Sequence, residues 1–253
     1  MVRQRSIFVT GDTHGDIRRF RPKNFPEGVP LNKEDLVFQL GDFGVIWNDA
    51  RAKEEKYWMD WLIEKPWTTI VILGNHEGYD RIFKLPETEL FGAKCWEYKN
   101  ENGSVYFVKA GEIMAIDNKT FLCVRGATSI DKMYRIEGRD YWDQETLSRE
   151  EEEHTLNNLD KIGWKVDYLL THTCPNTVIQ AFLDSPSSPK FNDPVSKFLE
   201  FIVNKLEFKV NLFGHFHTSR VFIDGASDNF ICFYEKIINL IDIDIEVSKN
   251  ENR

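Results

Sequence analysis

A chain of 253 residues, 42% apolar and 29% charged, is long enough to bury a substantial core, and its 13% aromatic content argues against disorder. The formal net charge of −9 disfavours broad nucleic-acid binding, which normally depends on a basic surface. No apolar run approaches the roughly 20 residues that span a bilayer, and the apolar stretch near Met1 is too short for a signal segment.

In chain order, the first strand expected is Ile7 to Thr10, which runs into Gly11-Asp12-Thr13-His14. Leu36 to Leu40 leads into Gly41-Asp42, and Thr69 to Leu73 into Gly74-Asn75-His76-Glu77. Short continuous apolar runs of this kind predict strands buried on both faces. Between the second and third, Arg51 to Glu64 is charged but spaces Tyr57, Trp58, Trp61 and Leu62 as a helix would. From Ala93 to Arg125 short strand-like runs alternate with turn signals such as Asn102-Gly103, predicting hairpins. Ser148-Arg149-Glu150-Glu151 has the spacing of a capping box and opens a helix to about Lys161. Asp167 to Leu170 is a further strand ending on Thr171-His172. Ser185 to Pro189 is a loop-like break, and Asp193-Pro194 pairs an N-cap with proline at the first helical position, predicting a helix to about Leu206. Val210 to Phe213 leads into Gly214-His215-Phe216-His217. From Thr218 to Val247 more hairpins are expected, with a turn at Asp224-Gly225 and a half-wet strand in the alternating Ile241 to Val247.

The strand and helix order predicts an α/β fold, and with no linker dividing the chain a single domain over 1–253 is expected, its core about 6–247 and a polar tail at 248–253. The four cysteines (Cys95, Cys123, Cys174, Cys232) are far apart and form no C-x-x-C, so a reducing, cytoplasmic setting is expected.

The chemistry lies in the strand ends, where open α/β sheets place their sites. Asp12, His14, Asp42, Asn75, His76, His172, His215 and His217 offer carboxylate, amide and imidazole donors. These suit Mn, Fe, Ni or Zn. Each motif alone has a plain alternative: a Gly-Asp turn, a surface histidine, a satisfied core histidine. Their joint recurrence at strand ends favours one metal-centred hydrolytic site, and dications there would admit phosphate despite the acidic chain.

The ordered set Asp12-x-His14, Gly41-Asp42, Gly74-Asn75-His76-Glu77, His172 and Gly214-His215-x-His217 resembles that of the calcineurin-like metallophosphoesterases, in particular a bacterial and phage single-domain branch. The resemblance implies a four-layer α/β/β/α sandwich of two mixed β-sheets flanked by helices. It also implies two divalent ions per chain, Mn foremost and Fe, Ni or Zn as others. Asp12, His14 and His217 would hold the first, Asn75, His172 and His215 the second, and Asp42 would bridge. A hydroxide shared by two dications about 3.5–4 Å apart would attack phosphorus, with His76 as proton donor. The implied activity is a phosphoric ester hydrolase acting on a small phosphorylated substrate or nucleotide. The other readings are a nucleotide pyrophosphatase or phosphodiesterase, or a weakly active scaffold for protein interactions.

One departure concerns the second motif. Related phosphoprotein phosphatases carry G-D-x-x-D-R there, whereas this chain has Val45 and Ile46 at the last two positions. Both the carboxylate that supports the catalytic histidine and a phosphate-binding arginine are therefore missing. The segment Gly126-Ala127-Thr128-Ser129-Ile130-Asp131-Lys132-Met133-Tyr134-Arg135 is similar to the G-A-x-S-x-D-K-x-x-R of that branch. Arg135, Lys132 and Arg125 are accordingly the candidate substrate-binding cations, the alternative being a solvated loop with an ordinary Asp131–Arg135 pair.

Overall fold

The computed structural model describes residues 3–183, 193–223 and 229–251. Its strands are β1 (Ile7–Thr10), β2 (Leu36–Leu40), β3 (Thr68–Ile72), β4 (Glu87–Leu90), β5 (Ala93–Asn100), β6 (Gly103–Val108) and β7 (Glu112–Ile116). There follow β8 (Lys119–Val124), β9 (Tyr168–Thr171), β10 (Val210–Phe213), β11 (Arg220–Ile223), β12 (Asn229–Cys232) and β13 (Ile238–Asn239). The helices are α1 (Ala52–Ile63), α2 (Tyr79–Ile82), α3 (Arg149–Lys161), α4 (Asn176–Leu183), α5 (Pro194–Val203) and α6 (Leu240–Glu251).

Two mixed sheets form, in the orders β13-β1-β2-β3-β6-β5-β4 and β11-β12-β10-β9-β8-β7. The period-two alternation of each central strand sorts its side chains between two cores. Ile7 and Val9 of β1, Phe38 of β2, Phe121 of β8, and Val210 and Leu212 of β10 meet between the sheets. Phe8, Val37 and Val71 point the other way, onto Phe20, Met59 and Leu62. Leu122, Leu169 and Phe213 do the same in the second sheet, against Leu159, Val178 and Leu199 of α3, α4 and α5. The result is the α/β/β/α layering expected, with hydrophobic burial on both faces of each central strand. Because β1, β2 and β3 are parallel neighbours, as are β9 and β10, the carboxyl ends within each set share one edge of their sheet.

The caps read from the sequence are present. The Ser148 hydroxyl accepts from the Glu151 amide at 3.2 Å, and the Glu151 carboxylate accepts from the Ser148 amide at 2.9 Å. The Asp193 carboxylate accepts from the amides of Val195 and Ser196, with Pro194 at the first helical position, although α5 stops at Val203, short of Leu206. The β7–β8 hairpin turns on Asp117 and Asn118, both at positive φ (49° and 63°), which matches the right-handed twist of the flanking strands. Ser185 to Pro189 and Asp224-Gly225 lie outside the described residues. No described helix is long and apolar enough to cross a membrane.

The expected strand at Ile241 to Val247 is instead part of α6, and the first four residues of the expected polar tail, 248–251, continue that helix. Leu240, Ile243 and Val247 are buried in the inter-sheet core at i, i+3 and i+7, whereas Ile241 and Ile245 stay 45% and 49% exposed. Every second residue is apolar, yet only the subset with helical spacing finds a core to fill, so tertiary burial overrides the alternation. Ile243→Ala should therefore lower stability by about 2–4 kcal/mol, a buried-aliphatic truncation, and Ile245→Ala by no more than about 0.5 kcal/mol. Urea unfolding of both variants checks this; equal losses would contradict the helical assignment of the buried face.

Candidate metal centre

Each candidate ligand sits one to four residues past a strand end, on a loop held in an uncommon backbone shape. His14, Asp42, His215 and His217 all occupy the left-handed region, at φ of 48°, 50°, 70° and 48°. A residue with a β-carbon held there typically costs on the order of 1 kcal/mol or more, so the surrounding structure must enforce it. Glycine is also required before Asp42 and before Asn75. A β-carbon on Gly41, itself at φ 82°, would lie 2.1 Å from His172 Nδ1. One on Gly74 would lie 2.2 Å from the Asp42 amide nitrogen.

The loops converge on two donor groups that share a residue. Asp12, His14, Asp42 and His217 each present a ligand atom within 4.8 Å of the others, as do Asp42, His172 and His215. Asp42 Oδ2 is 3.7 Å from His14 Nε2, and its Oδ1 is 3.1 Å from His172 Nε2. His14 Nε2 and His217 Nε2 lie 2.8 Å apart, and His217 Nε2 is 3.3 Å from Asp12 Oδ2. Asn75 joins the second group, its Oδ1 3.0 Å from His172 Nε2. The seven residues proposed as ligands are thus brought together, in two groups that share Asp42.

The donor set fits divalent ions. Asp12 and Asp42 are fully buried, and Asp12 Oδ2 has no hydrogen-bond partner. A buried carboxylate oxygen with no hydrogen bond, facing only the His217 imidazole at 3.3 Å, is costly unless a cation completes it. The remaining lone pairs are oriented by the protein. His172 Nδ1 donates to the Leu40 carbonyl at 2.8 Å, which leaves Nε2 facing the centre. Asp12 Oδ1 accepts from the His215 amide and Asp42 Oδ1 from the His76 amide.

The electrostatics are those of crowded, desolvated donors. Burial by itself would raise Asp42, yet His172 and the other nearby imidazoles hold its carboxyl well below the usual carboxylate range. Burial likewise opposes a charge on His172, but Asp42 raises it to about 9. Burial and then the charge of His172 bring His215 down to about 4. Burial also lowers His76, with Asp42 opposing that drop and Arg135 adding to it.

Further residues hold the ligands, and sequence reasoning gave them no role. The buried Glu77 carboxylate accepts from the amides of Phe43, Gly44 and Gly74, tying the second and third loops together. Burial, then Asp42, raises it to about 8 despite those three donors. Asn75 Nδ2 donates to Ser129 Oγ at 3.0 Å, and Ser129 donates through both its hydroxyl and amide to Glu145. Glu77 stands inside a motif and was open to notice. Glu145 is separated from Asn75 by a contact that no local pattern announces.

The three candidate cations part company. Arg135 lines a cavity of about 300 Å³ together with Asp42, Asn75, His76 and His217. Lys132 does not line it; its Nζ lies 2.9 Å from Glu145 Oε1, so it steadies the Ser129–Asn75 support. Arg125 is 2% exposed and bonded through two nitrogens to Glu151 at 2.9 and 2.6 Å, with a third bond to the Gln144 carbonyl. Its guanidinium also lies over the rings of Tyr79 and Phe83, so it is a buried structural cation and no substrate ligand. Outside the centre, Cys174 is buried, and His154 pairs with Glu112 at 2.7 Å.

The family profile of calcineurin-like phosphoesterases matches residues 5–219. Among solved structures, the phosphopantetheinyl hydrolase of Mycobacterium tuberculosis is similar over 92% of this chain and 90% of its own, at 15% identity and a TM-score of 0.44. Comparison with curated proteins gave no match.

Two outcomes test the centre. Asp42→Ala is expected to bind neither ion stably, whereas the unaltered chain should retain two per molecule, as read by elemental analysis after gel filtration in Mn²⁺. Glu145→Ala, which removes the acceptor behind Ser129 and Asn75, should weaken metal affinity by about 10–100-fold, the usual loss for a partner of a ligand. Chelator competition measures it, and unchanged affinity would exclude Glu145 from metal support.

Proposed function

The chain belongs to the calcineurin-like phosphoesterase family, and from that premise we propose a metal-dependent phosphoesterase that hydrolyses a small phosphate ester within a single domain. The observation that carries the proposal is Asp42, whose two oxygens each face a different imidazole group. Such a carboxylate suits a pair of ions better than one. Two divalent ions held by the seven ligands would supply the charge that offsets the phosphoryl oxygens and the acidity that makes water nucleophilic near neutral pH. Mn²⁺ is the ion proposed for assay, since the N and O donors accept it and affinity order alone does not choose the metal.

The chain's own groups then have separate roles. Arg135 offers the planar two-point grip that a phosphate favours, and Asp131 Oδ2 holds its Nη2 at 2.7 Å inside the cavity. It replaces the arginine that the sequence lacks at Ile46. His76 is fixed through its amide on Asp42, and its ring lines the same cavity as Arg135. From there it protonates the leaving oxygen.

A second reading, a nucleotide or other polyanionic ester, is favoured by a larger cleft of about 860 Å³ that Asp12 and His14 also line. Arg18, Arg21, Lys23 and Lys236 are among its walls, and it exceeds what one phosphate fills. The four cysteines are free and buried, in keeping with the reducing cytoplasm proposed for the chain.

A Mn²⁺-supplemented panel of a chromogenic monoester, a diester and nucleotides tests the activity; hydrolysis of none of them would favour the scaffold reading instead. His76→Ala is expected to keep both ions and lose about 10²–10⁴-fold in turnover, the range for general acid catalysis. Arg135→Ala should raise KM about 10-fold or more, since charge-assisted hydrogen bonds of this kind are worth about 1.5–3 kcal/mol. Steady-state kinetics on metal-loaded protein reads both, and unchanged constants in either variant would remove that residue from the mechanism.

A further inference from the structure

We infer that Trp47 is a positioning residue for His76, fixing the plane of its imidazole by stacking where related phosphatases use a carboxylate. The inference rests on the reading of His76 as proton donor. The second torsion of a histidine is broad and roughly two-fold, so its ring plane needs an outside constraint. A carboxylate on one ring nitrogen usually supplies it. Val45 and Ile46 rule that out at the second motif, and among the described residues no carboxylate hydrogen-bonds a ring nitrogen of His76.

What meets the ring is aromatic. The Trp47 indole lies 6.1 Å from the imidazole, centre to centre, with only 17° between their planes. Trp47 is itself braced by the edge of the buried Trp142, at 5.0 Å and 85°. The two loops that carry the rings are locked backbone to backbone. The Gly78 amide donates to the Ile46 carbonyl at 2.9 Å, and a β-carbon on Gly78 would lie 2.2 Å from the Trp47 carbonyl oxygen. Glycine at 78 is therefore what lets the second-motif loop come close enough for the stack.

Arg135 cannot do the same work. Its terminal nitrogens lie 3.3 Å from Nδ1 and 3.4 Å from Nε2 of His76. Arginine only donates and a neutral imidazole has one acceptor nitrogen, so at most one of these contacts is a hydrogen bond. A flat indole fixes the ring plane without itself occupying either nitrogen, which is what a donor to a leaving oxygen needs.

The test separates stacking from space filling. Trp47→Phe keeps a flat face, whereas Trp47→Leu fills the space without one. Two aryl phosphates of the ester type the enzyme hydrolyses would be compared, one with an unactivated phenol and one with a nitrophenol as leaving group. A proton donor matters chiefly for the former. Metal content and folding are checked for each variant by elemental analysis and circular dichroism. Trp47→Leu is expected to lower kcat on the unactivated ester by about 10–100-fold, the loss that misplacement of a catalytic group brings. The nitrophenyl ester should lose much less, KM should hold, and Trp47→Phe should restore most of the rate. Gly78→Ala, which forces the same backbones apart without altering either ring, should show the same leaving-group pattern and serves if Trp47→Leu does not fold. Placed in a His76→Ala background, Trp47→Leu should cause no further loss, because the two act as one unit. Equal losses on both esters, no rescue by phenylalanine, or independent losses in the double variant would each overturn the positioning role. If His76→Ala itself shows no leaving-group dependence, the proton-donor reading fails and takes this inference with it. If His76→Ala shows it and Trp47→Leu does not, only the inference is overturned.

Discussion

Asp12 and Asp42 put two carboxylates into the interior of the protein, where both sheets end and, among the described residues, no lysine or arginine side chain pairs with them. An ionised carboxylate without water or a partner is among the most expensive groups a fold can bury. Much of the surrounding structure answers that cost. Backbone amides of His215 and His76 satisfy one oxygen of each, the imidazoles of His14 and His217 crowd the others, and His172 shares Asp42 Oδ1 with the His76 amide. Asp12 Oδ2 still lacks a hydrogen bond. Buried carboxylates of this kind favour positive charge beside them, and the two donor groups are where the proposed ions would supply it.

The same requirement explains why the loops are strained. Four candidate ligands adopt left-handed backbone, a shape that residues with a β-carbon seldom hold without support from their neighbours. The neighbours here are rigid: parallel strands behind the loops, glycines at the close approaches, and Glu77 and Glu145 as buried acceptors joining one loop to the next. A centre built this way is ordered before any substrate arrives, which is the condition for charge to be placed without reorganisation. Stability is surrendered locally and recovered in the three apolar cores.

What the sequence made legible follows from that division. Runs such as Leu36 to Leu40 and Val210 to Phe213 are apolar throughout because both faces are covered, so the strands and their ends could be read directly. Candidate donors at those ends could be read too, since side chains that ligate metals are few, and the fold brings them together. Ile241 to Val247 misled because its alternation is a property of composition, while the fold buries only Ile243 and Val247 of it. Arg125 misled for a related reason: a glycine after a strand with cations following suggests an exposed phosphate loop, yet Glu151, 26 residues on, claims the guanidinium. The Asn75–Ser129–Glu145 relay and the Trp47–His76 stack join residues by side-chain geometry, to which neither spacing nor periodicity gives a clue.

The acidic charge of the whole chain bears on substrate choice through distance. Exposed charges are screened within about 8 Å at physiological ionic strength, so a small ester feels chiefly what lies around the cavity. There Arg135, and any dications on the seven ligands, outweigh the carboxylates they are paired with. A long polyanion would instead extend its phosphates beyond that radius, over a surface whose formal charge sums to −9 for the chain. It would gain little from counterion release, because that term needs lysines and arginines along its path. The larger cleft beside His14 is a partial exception, with Arg18, Arg21, Lys23 and Lys236 in its walls, but Asp16, Glu27 and Glu235 line it as well. Such a mixed lining suits a compact ligand with one or two further anionic groups better than a strand of nucleic acid, and it places the selectivity of the proposed phosphoesterase in local charge rather than in the field of the whole molecule.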